Sequence, residues 1–98
     1  MPTSVDYHTY LIEALRHPKE AQAYLTAALE QGDPKMFLIA LRNVAEAQGG
    51  MSKAAARAKL NRESLYKMLS KRGNPSLTSL AALLKALGFR LAIKRDAA

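Results

Sequence analysis

Polar and basic side chains are concentrated between residues 52 and 74, and their chemistry is that of nucleic-acid recognition. Among the polar side chains of this stretch are Ser52, Lys53, Asn61, Arg62, Glu63, Ser64, Tyr66, Lys67, Lys71, Arg72 and Asn74. Guanidinium, amide and hydroxyl groups read base edges, and ammonium groups bind phosphates. Four members fit two roles each. Lys71 and Arg72 could contact DNA or be solvated charges at a helix end. Glu63 could accept a hydrogen bond from a cytosine or stabilise a helix dipole, and Tyr66 could border a phosphate or lie in solvent.

The charge of the chain is divided unevenly between its halves. Residues 49–98 carry eleven Lys and Arg against two acidic residues, a net charge of +9, whereas residues 1–48 carry four against six, a net charge of −2. Duplex DNA is densely negative. The second half is therefore predicted to bind a polyanion, and the first half is left for another partner.

The elements that must position these side chains are predicted to be helices. Apolar spacing and capping signals indicate five of them. They are expected to run from about Pro18 to Gln31, from Pro34 to the Gly49-Gly50 break, from Lys53 to Ala58 with Ser52 as cap, from Arg62 to Ser70 with Asn61 as cap, and from Ser76 or Thr78 to Leu87. A period of two over Phe89–Lys94 predicts a short strand. The expected class is all-α, with five helices and a short C-terminal strand.

Residues 52–70 have the pattern of two short helices joined by a tight turn at Lys59-Leu60. Ala55 lies where the two helices would cross, and its small side chain permits a close crossing. The first turn of the second helix is polar throughout, and the apolar residues that follow it lie on one face. A helix of this kind fits the major groove of DNA.

The chain resembles the Cro- and lambda-repressor-like helix-turn-helix family, and more narrowly the antidote proteins of addiction modules. The resemblance covers roughly residues 18–94, through the runs AYLTAALEQGDP, LNRESLYKMLS and GNPSL. It implies a five-helix DNA-binding domain with a phosphate at Ser52-Lys53, base or phosphate contacts from Asn61, Arg62, Glu63 and Lys67, and a backbone contact from residues 71–74. The family favours glycine where this chain has Lys59, so a left-handed turn there would cost about 1 kcal/mol.

Residues 1–17 form a candidate partner-binding segment ahead of a helix-turn-helix domain over residues 18–98. The segment has no clean helical period, and its apolar residues are Tyr7, Tyr10, Leu11, Ile12 and Leu15. Either these side chains fold back on the first predicted helix of this chain, or the segment becomes ordered on a basic partner. Because the toxins of the resembled family are often basic ribonuclease-like proteins, the resemblance assigns the five side chains to toxin binding.

Several other classes of function have no support in the sequence. The chain has no cysteine, His8 and His17 have no third metal ligand nearby, and no nucleophile is accompanied by a base. We therefore expect no catalytic residue, metal or cofactor, and no enzyme. No apolar run approaches the ~20 residues that span a bilayer, and the N-terminus lacks the pattern of a signal peptide, so a cytoplasmic location is expected.

Taken with the resemblance, these features predict a DNA-binding antitoxin. It would neutralise a RelE/ParE-like toxin, bind its own operator as a homodimer and repress its operon. A dimer is expected because one recognition helix reads only a few base pairs, and the strand Phe89–Lys94 has an edge that a second copy could pair. Two alternatives stay open: a phage-type repressor without a toxin, and a protein–protein scaffold that no longer reads DNA.

Overall fold

Six α-helices make up the regular structure of residues 4–97. The computed structural model describes residues 4–97, with side chains from residue 6 onward. The helices are α1 (Ser4–Ala14), α2 (Pro18–Glu30), α3 (Pro34–Ala47), α4 (Met51–Ala58), α5 (Arg62–Met68) and α6 (Leu77–Ala86). The predicted all-α class is confirmed, with one more helix than the five expected. None of these six helices is long and apolar enough to cross a membrane.

Short-range side-chain hydrogen bonds mark the start of three of these helices, α3, α5 and α6. The side chain of Asp33 accepts a hydrogen bond from the Lys35 N–H at 3.0 Å, and Ser76 Oγ accepts one from the Ser79 N–H at 3.1 Å. α4 begins differently, because Gly50 is its N-cap at φ 96° and no side chain caps it. The prediction that Ser52 caps this helix is wrong: the glycine turn starts the helix earlier, and Ser52 lies exposed in its first turn.

α3 lies at the centre of the packing. It contacts α1, α2 and α4, and α4 in turn contacts α5 and α6. A cluster of buried apolar residues extends from Leu15, near the N-terminus, to Leu84 on α6. Each buried leucine contributes about 1.5–3 kcal/mol through removal of its side chain from water. This core holds α5 against the body of the protein.

The N-terminal segment is an ordered helix that packs against α3. Leu15 is 2% exposed, whereas Tyr7 and Tyr10 are 57% and 70% exposed. Gln48 Nε2, at the end of α3, donates to the Leu15 carbonyl at 2.8 Å and to the Arg16 carbonyl at 3.3 Å. The contacts agree with the fold-back interpretation, with α3 as the main partner in place of the helix at Pro18. Residues 1–3 of the predicted segment lie outside the described residues.

The predicted strand over Phe89–Lys94 is wrong, since no strand occurs in residues 4–97. Phe89 packs against the core, but Leu91 and Ile93 are 45% and 102% exposed. Alternating apolar and polar residues form a strand only where a neighbouring strand pairs their N–H and C=O groups. No such neighbour is available within the described part of this chain.

The burial of Leu15, directly after the last residue of α1, ties the N-terminal helix to the folding unit. The variant Leu15→Ala should lower the free energy of unfolding by about 2–5 kcal/mol, because it leaves a cavity in the core. The control Tyr10→Ala, on an exposed position of α1, should change it by less than about 0.5 kcal/mol. Urea denaturation measures both variants, and an equal, small effect of the two would contradict the packing of α1.

Candidate nucleic-acid interface

A left-handed residue reverses the chain between α4 and α5. Lys59 has φ 57° and ψ 40°. Its N–H donates to the Ala56 carbonyl at 3.2 Å, and the Leu60 N–H donates to the Ala55 carbonyl at 2.9 Å. This pair of bonds is the Schellman pattern that usually contains glycine. The cost anticipated for a left-handed Lys59 therefore applies to this turn.

Small residues on α4 let α5 approach closely. Ala54, Ala55 and Ala58 are buried on α4, and Leu65 is fully buried on α5. With its apolar face against α4, α5 presents its polar residues to solvent. Those exposed on this face are Arg62, Glu63, Ser64 and Lys67.

The first turn of α5 is held by its own cap. Asn61 Oδ1 accepts hydrogen bonds from the N–H groups of Glu63 at 2.8 Å and Ser64 at 3.3 Å. The predicted cap is therefore confirmed. Asn61 uses its side-chain oxygen in the cap, and its amide nitrogen takes no part in it. Glu63 lies in the first turn, where a carboxylate stabilises the helix dipole. Contact between Glu63 and a base stays a prediction.

Tyr66 is half-buried and carries two guanidinium groups over its ring. The Cζ atom of Arg62 lies 5.7 Å from the ring centroid, and that of Arg42, on α3, lies 5.3 Å from it. Arg42 Nε is also 3.5 Å from Glu46 Oε1. The sequence does not indicate this contact of Arg42. Arg42 lies on α3, and the whole of α4 separates it from α5 along the chain.

The loop after α5 encloses a cleft of about 380 Å³ beside the polar face. Among the predicted DNA-binding residues, the cleft is lined by Ser64, Lys67, Arg72 and Asn74. Gly73 allows this loop to pass close to α5: a Cβ atom at Gly73 would lie 1.9 Å from the Met68 carbonyl oxygen. Lys71 is exposed but does not line the cleft. The structure thus brings together the candidates on α5 with those in the loop.

The remaining cations lie on α4 and beyond it. Ser52 and Lys53 are exposed in the first turn of α4, and neither lines the cleft beside the loop. A second cleft, of about 500 Å³, is lined by Arg57, Lys59 and Lys85 with alanines between them. The sequence alone does not show that these three charges lie together, because Lys85 on α6 is about 25 residues from Lys59 along the chain.

Within residues 4–97, no three His, Asp or Glu side chains are grouped as metal ligands would be.

Comparison with known proteins finds relatives over most of the chain. A family model described as "Probable addiction module antidote protein" matches residues 6–95. An uncharacterized protein of Haemophilus influenzae (strain ATCC 51907 / DSM 11121 / KW20 / Rd) is 35% identical over 84 residues, which cover 86% of this chain and 86% of that protein. No solved structure matches the chain.

The left-handed turn at Lys59 makes this position open to stabilisation. The variant Lys59→Gly should raise the free energy of unfolding by about 1 kcal/mol, because glycine adopts positive φ without a Cβ clash. The control Lys59→Ala removes the same charge but keeps the Cβ atom, so it should give little gain. Denaturant midpoints at an unchanged m-value measure both. Equal stabilisation by alanine and glycine would assign the effect to charge and not to backbone conformation.

Proposed function

The chain belongs to the addiction module antidote family, and from this membership we propose that it is an antitoxin that binds both a toxin and its own operator DNA. The observation that supports DNA binding is the polar, basic face of α5, whose apolar side is fixed against α4. The proposal is of a binding protein in the cytoplasm, without catalysis, cofactor or metal.

In this proposal the α4–α5 pair is a helix-turn-helix of the lambda-repressor-like kind. α5 enters the major groove, where Arg62 donates to a guanine and Asn61, Ser64 and Lys67 contact bases or phosphates. The loop residues Lys71, Arg72 and Asn74, together with Ser52 and Lys53 on α4, bind the phosphate backbone. Binding of this kind represses the operon that encodes the toxin and the antitoxin.

A homodimer is part of the proposal, because one α5 reads only a few base pairs. Two copies about one helical turn apart, ~10 base pairs, would read a palindrome. The stoichiometry of the complex on DNA, measured by light scattering, should be two chains per duplex.

The toxin is proposed to bind the exposed side of α1. Tyr7 and Tyr10 are the accessible part of the predicted segment, Leu11 and Ile12 are half-buried, and Leu15 lies in the core. Exposed tyrosines are frequent anchors of protein interfaces. The net negative charge of residues 1–48 suits a basic partner of the RelE/ParE-like class.

The DNA-binding part is tested by separating specificity from affinity. On the duplex from upstream of the encoding gene, Arg62→Ala should cost about 1–3 kcal/mol and lower the preference over a scrambled duplex. Lys71→Ala should weaken both duplexes about equally, as loss of a phosphate contact does, and reduce the log–log salt slope by about 0.9. Fluorescence anisotropy titrations at several salt concentrations measure these values.

Two outcomes would count against this part. Salt-independent binding, or an unchanged preference in Arg62→Ala, would remove α5 from the reading of bases. Absence of binding to any duplex at low salt would favour the scaffold alternative.

The toxin-binding part is tested with substitutions that spare the core. Changing Tyr7 and Tyr10 together to serine should weaken binding to the protein encoded by the neighbouring gene at least tenfold, since interface tyrosines carry a large share of binding energy. DNA affinity should stay within about threefold. The control Leu29→Ser alters an apolar side chain on α2 that is 57% exposed, like Tyr7. Calorimetric titration measures the binding, and unchanged affinity in the tyrosine variant would place the toxin contact elsewhere.

A further inference from the structure

A series of side-chain contacts links α3 to the DNA-facing side of α5. The guanidinium groups of Arg42 and Arg62 both lie over the ring of Tyr66, at 5.3 and 5.7 Å from its centroid. A guanidinium over a tyrosine face is attracted by the ring quadrupole. Since Arg42 comes from α3 and Arg62 from α5, the tyrosine ring is the common surface of two cations on different helices.

Two like charges at one ring repel each other, and Glu46 offsets this repulsion. Its Oε1 atom lies 3.5 Å from Arg42 Nε, and its Oε2 atom lies 3.6 Å from His8 Nε2 on α1. The carboxylate thereby holds Arg42 from one side while the ring of Tyr66 holds it from the other. Arg42 is half-buried, so it is more restricted than a cation on a free surface.

Tyr66 is held on α5 by a different set of contacts. Its side chain is half-buried against the core, next to the fully buried Leu65. The ring is therefore fixed by the core on one side and by Arg42 on another. Arg62 is exposed and forms no ion pair among the described residues, so the Tyr66 ring is the contact that its guanidinium makes.

We propose that Arg42 is a positioning residue for base reading. It fixes the ring of Tyr66, and the ring restricts the guanidinium of Arg62 to the orientations from which it can donate to a base edge. This inference rests on the proposed function, because it assigns to Arg42 a share in the specificity of Arg62. Arg42 itself need not touch a base, since the Tyr66 ring passes its effect to Arg62.

The first experiment measures specificity. Arg42→Ala should lower the ratio of affinities for the upstream duplex and a scrambled duplex by about threefold, the size of one exposed cation–π contact. Arg42→Lys keeps the charge but not the planar face, and should restore part of the ratio. The control Lys35→Ala removes a cation from the same helix, away from Tyr66, and should leave the ratio unchanged.

The second experiment tests whether the effect passes through Arg62. In an Arg62→Ala background, the further change Arg42→Ala should no longer alter the ratio, as expected for residues that act together. In the free protein, the NMR order parameter of the Arg62 Nε–H group should fall in Arg42→Ala. Thermal unfolding of each variant is recorded alongside, and the order parameter should fall at temperatures where the variant is fully folded.

The outcomes separate this inference from the proposed function. An equal loss on both duplexes, or the same loss in the Arg62→Ala background, would make Arg42 a phosphate contact and overturn its positioning role. A wild-type protein that does not discriminate between the duplexes would overturn the proposed function instead. In that case the order parameter of Arg62 still decides whether Arg42 restrains it, and an unchanged value would overturn the inference.

Discussion

The arrangement of the exposed polar face of α5 depends on the close approach of α4 to both α5 and α6. Ala54, Ala55 and Ala58 are buried on α4, which contacts both helices, and larger side chains at buried positions of this kind overpack a core. Overpacking of this kind costs about 1–3 kcal/mol. α5 has seven residues, too few for a stable helix alone, so its orientation comes from the alanine face beneath it. The exposed polar turn is a consequence of that packing.

The parts of the fold that were predictable from sequence are those set by local chemistry. Asp33 and Asn61 cap their helices because each side-chain oxygen bonds an N–H two residues later. α1 was not predicted because few of its apolar residues face the core. Leu11 and, one turn later, Leu15 just beyond the helix pack inward, whereas Tyr7 and Tyr10 face solvent. The strand was predicted wrongly because its partner is a non-local requirement that no run of six residues contains.

The candidate site was predictable to a similar extent. The residues of α5 and the following loop are contiguous in sequence, so their charge and polarity marked them as a group. Arg42 was not predictable, because its contact with Tyr66 joins positions 24 residues apart on helices that do not follow one another. The cleft between Arg57 and Lys85 was missed for the same reason. Sequence patterns identify faces of single helices, whereas contacts between helices need the packing angles of the fold.

The N-terminal helix has two faces that the sequence suggested belong to separate units. Leu11 on its inner side packs against the core, Leu15 in the turn that follows it is buried, and Gln48 binds the carbonyls of that turn. Its outer side carries the exposed tyrosines. The predicted division between a partner-binding segment and a folded domain therefore does not fall at a residue number, because one face of the helix is packed and the other is exposed. Removal of the whole segment would also remove part of the core.

Gly73 is sensitive to substitution because any side chain at this position would collide with the backbone of α5. With the Met68 carbonyl oxygen 1.9 Å from where a Cβ atom would be, every other amino acid must move the loop that carries Arg72 and Asn74. In a saturation mutagenesis experiment, position 73 would therefore tolerate as few residues as a direct contact does. Sensitivity at position 73 would then report the placement of the loop beside α5 and not a side-chain contact made by residue 73 itself.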